Sequence, residues 1–158
     1  MANVDNPHGF SPAGPVLRVT EYVKGTNAAI YPGDMCKMLA DGTVVVATAG
    51  SIQLIGVAQG YAAATATKIL VADSADQLYY VQCDATHAQA QIGLNGDIIA
   101  TAGNSTLLKS QMEINSTEAT GTAQLRVLGT HPADLVSTNA RVLVAINEHA
   151  FHKKNVGF

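Results

Sequence analysis

From Val16 onward the chain alternates between short apolar, β-branched runs and turn chemistry. The runs are Val16–Val23, Asp34–Leu39, Thr43–Ala47, Ile52–Ala58, Thr67–Ala72, Gln77–Cys83, Gln111–Asn115, Ala123–Leu128 and Arg141–Asn147. Each reads as a strand, because β-branched residues suit the pleated backbone. Between the second and third, Ala40-Asp41-Gly42 is the clearest hairpin signal in the chain. Tyr31-Pro32-Gly33-Asp34 is a turn, and Gly56 inside the Ile52–Ala58 run marks a bulge. No segment holds apolar residues at helical spacing over several turns. Residues 84–91 and 132–139 leave room for one helical turn each, and Asn95-Gly96-Asp97 reads as a turn. The expected fold is all-β: a compact antiparallel β-barrel or β-tulip/sandwich with little helix.

Residues 1–15 break this pattern. They hold three prolines and two glycines, and their only large apolar residues after Met1 are Val4 and Phe10. Proline has no N–H to give a sheet and glycine has no side chain to pack. We therefore expect an extended N-terminal arm over 1–15, followed by a single β domain over 16–158. The start has no basic region followed by an apolar one, so it does not read as a secretory signal. The uncharged stretch 43–67 is interrupted by Gln53, Gln59 and three glycines, and reads as strands rather than a membrane span.

Composition sharpens the picture at one point. Of 158 residues only 13% are charged, with a net charge of −3, while 47% are hydrophobic. A typical soluble domain carries about 25% charged residues. Interface cores are depleted in charge in the same way, so part of the exterior is expected to be covered by other subunits. The basic residues are scattered, with only Lys153 and Lys154 adjacent, which argues against a nucleic-acid partner.

The search for reactive chemistry is short. His149 and His152 flank two residues beside Glu148, but the order is not that of a zincin helix, and His8, His87 and His131 are isolated. There is no nucleophile elbow and no phosphate-binding glycine loop. Cys36 and Cys83 lie within or at the end of strands, where a free thiol behaves as a small hydrophobe. No catalytic, metal or cofactor residue is assigned, and no enzyme activity is expected.

The opening Ala2-Asn3-Val4-Asp5-Asn6-Pro7-His8-Gly9-Phe10-Ser11-Pro12 resembles a start that recurs among small capsid-associated structural proteins of tailed bacteriophages. The resemblance continues through Tyr31-Pro-Gly-Asp-Met-Cys-Lys-Met38, Asp41-Gly-Thr-Val44, Ile55-Gly-Val-Ala58 and Val144-Ala-Ile-Asn-Glu-His-Ala-Phe151. It runs from arm to tail and looks like that of head decoration, or cement, proteins. What the resemblance implies is a compact β core standing as a homotrimer, less often a dimer, on the outer surface of the capsid. Such proteins bridge subunits of the major capsid protein and reinforce the expanded shell. No catalytic residues, cofactor, nucleic acid or membrane are implied; the protein would be made in the host cytoplasm.

On this reading the arm makes the contact with capsid or neighbour, through Asn3, Val4, Asp5, Pro7, Phe10 and Pro12. Phe10 is the expected anchor, since aromatic residues in pockets dominate interface energies. The competing readings are a tail or head–tail connector component, and a ligand-binding β-barrel. The last is disfavoured because Tyr79 and Tyr80 must point to opposite faces of a strand. On the sequence alone, deleting residues 2–14 is expected to leave the domain folded and to abolish capsid binding, as read by co-sedimentation.

Overall fold

The computed structural model describes residues 2–116 and 123–152. Its fold is all-β; among the described residues there is one 3-10 turn, at Gln89–Gln91, where the sequence left room for one. The other expected turn, over 132–139, is a string of bends without helix.

Two five-stranded antiparallel sheets make the body. The first has the order β2-β6-β5-β3-β4, with β2 Val19–Val23, β3 Met35–Met38, β4 Val44–Val46, β5 Leu54–Ala58 and β6 Lys68–Ala72. The second has the order β1-β7-β12-β11-β8, with β1 Ser11–Pro12, β7 Tyr79–Gln82, β8 Asn95–Gly96, β11 Leu125–Thr130 and β12 Arg141–Ile146. A short pair, β9 Ile98–Ile99 and β10 Glu113–Ile114, completes the fold. The first sheet curls, with one parallel bridge joining Lys24 after β2 to Val44 in β4, and another parallel bridge, Cys83 after β7 to Ile114 in β10, ties the second sheet to the short pair. Single bridges are not ladders, so neither sheet closes. Of the two expected forms, barrel and sandwich, the chain adopts the open, sandwich-like one.

The core has two parts. The larger lies between the sheets and contains Met35, Leu54 and Val57 from the first, and Tyr79, Val81, Leu125, Val142 and Val144 from the second. The smaller lies inside the curl of the first sheet, around Cys36, Val44, Ile55, Ala58, Ile69 and Val71. Strand β5 serves both and is buried at all five positions. In a regular strand Leu54 and Val57 would face opposite ways. Here they share one core, and Ile55 and Ala58 share the other. The expected bulge makes this possible: Cys36 pairs with Gly56 and Lys37 with Leu54, which leaves Ile55 as the extra residue. Gly56 has φ +139°, and a Cβ there would overlap the carbonyl of Ala72 on β6. The sequence-read hairpin at 40–42 also forms, with Leu39 N–H donating to Thr43 O at 2.8 Å.

The arm is not separate from the body. Phe10 is 2% exposed and belongs to the core between the sheets. Ser11 and Pro12 pair with Tyr80 and Tyr79, and Ala13 N–H donates to Leu78 O at 2.9 Å. The boundary expected at residue 15 therefore does not hold for residues 9–13. Proline tolerates this position because β1 is an edge strand. Strands β8 and β9 were not read as strands from the sequence, and Gly129 and Thr130 lie inside β11 past a bulge at Val127/Gly129 rather than ending it.

Deleting residues 2–14 is accordingly expected to destabilise the fold rather than spare it. Phe10→Ala alone is expected to cost about 3–5 kcal/mol, read as a lower urea midpoint at unchanged slope. Gly56→Ala is expected to prevent soluble folding, because the strand has no room for a methyl group.

Candidate functional site

The sequence-predicted contact residues separate: Asn3 and Asp5 bond to the 135–138 segment and to Gln82, Phe10 enters the core between the sheets, and Pro12 is part of β1. Asn3 is tied at both ends of its amide: Nδ2 donates to Leu135 O (2.9 Å) and Thr138 O (3.0 Å), and Oδ1 accepts from Leu135 N–H (2.9 Å). Val4 follows, 79% exposed, beside a loop whose Leu135 and Val136 are also exposed. Asp5 Oδ1 accepts from Gln82 Nε2 at 2.9 Å, and Asn6 N–H donates to Gln82 Oε1 at 3.0 Å. Lys109 Nζ reaches Asn6 Oδ1 at 2.8 Å. Pro7 and Pro12 are half-buried. Phe10 is an anchor, but to its own domain; the expectation that it anchors a neighbour is corrected by its burial.

How the chain crosses itself at Gly9 explains the local path. Phe10 N–H donates to Gly33 O at 2.9 Å, and Gly33 N–H donates to Ala58 O at 3.0 Å. Gly9 and Gly33 both have positive φ, and a Cβ on either would collide with backbone of the other segment. The turn is closed by Asp34, whose Oδ2 accepts from Tyr31 N–H at 2.9 Å. Burial raises the Asp34 carboxyl above its ordinary range, against the Tyr31 N–H and the Ser110 hydroxyl. Thus the segments Gly9–Pro12, Tyr31–Asp34 and Ile55–Ala58 meet in one place. The segment Glu148–Ala150 joins them from the other side, through Leu54 N–H to Glu148 O (3.0 Å) and Ala150 N–H to Leu54 O (2.7 Å).

Between the arm and the 134–141 segment lies a half-open groove of about 380 Å³, lined by Asn3, Val4, Asn6, Gln82, Asn139 and Arg141 among others. Its one guanidinium is engaged: Arg141 grips Asp134 through two bonds of 2.9 and 2.6 Å, which hold the Asp134 carboxyl below its ordinary range. The groove is therefore amide-rich, with its charges internally paired.

A second surface is apolar. On the outer face of β2 and β6, Val19, Val23 and Leu70 are exposed, with Leu17 just before β2. One ion pair, Lys68 with Glu21 at 2.8 Å, interrupts them. Beneath it, Asp73 takes Arg18 Nε at 2.8 Å and Tyr22 Oη at 2.5 Å. Burial works to raise that carboxyl, but its hydrogen bonds outweigh burial and hold it low.

The histidines and thiols are occupied structurally. His149 is fully buried, its Nδ1 accepts from Phe151 N–H at 3.1 Å, and its ring packs on Phe151. His87 is buried with Nε2 at 2.9 Å from Thr130 Oγ1. Cys36 and Cys83 are both buried and free; burial pushes the Cys83 thiol up to about 12. Among the described residues no three His, Cys, Asp or Glu side chains converge as metal ligands. No helix among them is long and apolar enough to cross a membrane. Lys153 and Lys154 lie outside the described residues. Tyr79 is buried with its hydroxyl on Ala72 O (2.9 Å), while Tyr80 faces outward against His131, so the two rings do lie on opposite faces.

Sequence reading missed the side chains that organise these surfaces. Gln82 holds the arm, and Gln124 holds the sheets together: its Nε2 donates to Thr48 O (2.9 Å) and Ser51 O (2.8 Å), and its Oε1 accepts from Ile98 N–H (2.9 Å). Alternation puts both glutamines at outward positions, opposite in phase to Tyr79 and Val81 in β7 and to Leu125 and Val127 in β11, so a polar residue there carries no signal of burial.

Comparison with protein-family models and with curated proteins finds no match to this chain.

Burial lowers the proton affinity of both His149 and His87. Each is therefore harder to protonate in the fold than in the unfolded chain. Their contribution is complete above the unfolded value of about 6.5 and is lost as pH falls below it. Stability is expected to drop between pH 7 and 5.5, by at most about 1.4 kcal/mol per pH unit for each histidine. Urea titrations across that range measure it, and a His87→Gln, His149→Gln double variant should flatten the slope.

Proposed function

We propose that this chain is a non-enzymatic structural protein of a bacteriophage virion, which decorates the outside of the expanded head and cements it by bridging subunits of the major capsid protein. It acts as a homo-oligomer, with a trimer preferred over a dimer, and works by binding alone. The observation that carries the reading is the resemblance spread along the chain, from the Asn3–Pro12 start to Val144–Phe151.

Two physical features support it. The outer face of β2 and β6 and the cluster at Val4, Leu135 and Val136 present apolar side chains on a protein with little surface charge. Apolar surface of this kind gains free energy when a partner covers it. Symmetric copies then add their modest contacts across a repeating lattice. Because Phe10 and β1 belong to the chain's own fold, the part of the arm available to a partner is residues 2–8, where Val4 is an exposed apolar side chain.

The test is co-sedimentation with expanded, undecorated phage heads. Saturable binding in whole-number copies per capsomer is expected, with at least a tenfold weaker affinity for a variant lacking residues 2–8 or carrying Val19→Asp and Leu70→Asp; tenfold corresponds to about 1.4 kcal/mol. Absence of binding to well-formed heads, or rings of six or twelve copies formed by the protein alone, would replace this reading by a tail or connector role.

A further inference from the structure

The arm is latched by one buried amide that serves two carboxylates. Gln82 is 3% exposed and lies on β7. Its Nε2 donates to Asp5 Oδ1 of the arm at 2.9 Å and to Glu113 Oε1 of β10 at 3.2 Å. Its Oε1 accepts the N–H of Asn6 at 3.0 Å. One NH2 group thus draws two carboxylates to the same nitrogen, where their charges repel. Asp84, after β7, adds a third negative charge near Glu113. The nearby cations are committed elsewhere: Lys109 Nζ is on Asn6 Oδ1, and Arg141, which pairs with Gln82 across the sheet, is held by Asp134. His8 Nδ1 lies on Asn6 O at 3.0 Å, a bond that neutral and charged imidazole can both donate.

We propose that residues 2–8 form a strap that acid tightens, with Glu113 as the sensor: a proton on Glu113 removes its repulsion of Asp5 while Gln82 keeps its bonds to the arm. The environment of Glu113 agrees in sign. Burial raises its proton affinity, and Asp5 and Asp84 raise it further, against the Gln82 bond. By linkage, whatever Asp5 does to the affinity of Glu113 for a proton, that proton does to the docking of Asp5. With Glu113 ionised the strap is looser, and residues 2–8 are more available to a partner. This inference does not depend on the role proposed above, since it concerns the free chain.

Amide hydrogen exchange tests it, because the Asn6 N–H is itself part of the latch. Protection factors for residues 2–8, corrected for the intrinsic pH dependence of exchange, are expected to rise between pH 7 and pH 5. Each pK unit of coupling between the two carboxylates reads as a tenfold rise. Amides in β12 serve as the internal reference for global stability. Glu113→Gln is expected to show high protection already at pH 7 and no rise. Asp5→Asn, on the exposed arm where it cannot disturb the core, is expected to lose the rise as well. A flat profile in the unmodified protein, or an equal rise in either variant, overturns the proposal; an equal rise in both would assign the response to His8.

Discussion

Strand β5 has a core on each side of it, and the rest of the fold is arranged around satisfying both. A strand buried at every position must find apolar partners in two directions and hydrogen-bond partners along both edges. Gly56 solves the first requirement. Its bulge turns Leu54 and Val57 to one core and Ile55 and Ala58 to the other, in a conformation that a side chain would block. The second requirement is met piecewise: β3 covers one edge, β6 pairs only at Val57 and Ala58, and Glu148–Ala150 takes up Leu54 beyond that. The Tyr31–Asp34 turn closes the end at Ala58, and the Gly9–Phe10 crossing closes the turn.

Large aromatic residues are scarce in this chain, so buried amides take a share of the organising work. Gln124 joins the loop after β4 to β9, and through its own carbonyl to Asn147 after β12. Gln82 joins the arm to β7 and β10. An amide with all its bonds made is directional in a way that alkyl packing is not, so it fixes how the two sheets sit and where the arm runs. Such a group is also costly to leave half-satisfied. The fold is therefore specified at a few polar points inside a core built largely from Val, Ile, Leu and Ala.

The residues that carry the resemblance are mostly inward or in turns: Phe10, Gly33, Gly56 and His149 all serve the β5 region. Their shared pattern is first of all a description of how this backbone is folded. Partner surfaces, on the proposed reading, are made from different residues: Val4, Leu135 and Val136 at one place, Leu17, Val19, Val23 and Leu70 at another. Those positions have no motif because a contact surface needs apolar area and shape rather than a particular backbone geometry.

Local chemistry decided much by itself. The all-β class, the hairpin at Asp41-Gly42, the turn at Pro32-Gly33, the bulge at Gly56 and the burial of both thiols follow from residue type and near-neighbour pattern. Each depends on φ preferences or on alternation within a few residues. What the pattern could not reach were the long-range decisions. Phe10 looked free because nothing in the first fifteen residues could bury it; the core cluster it joins is drawn from residues 25 to 136 positions away. β1, β8 and β9 are too short to show alternation and exist only because a neighbouring edge is there to pair with. Gln82 and Gln124 acquire their roles from backbone groups that only the folded chain brings within hydrogen-bond distance. Whether the sheets closed was likewise a matter of edge-to-edge distance, which short-range sequence does not encode and the tertiary structure sets.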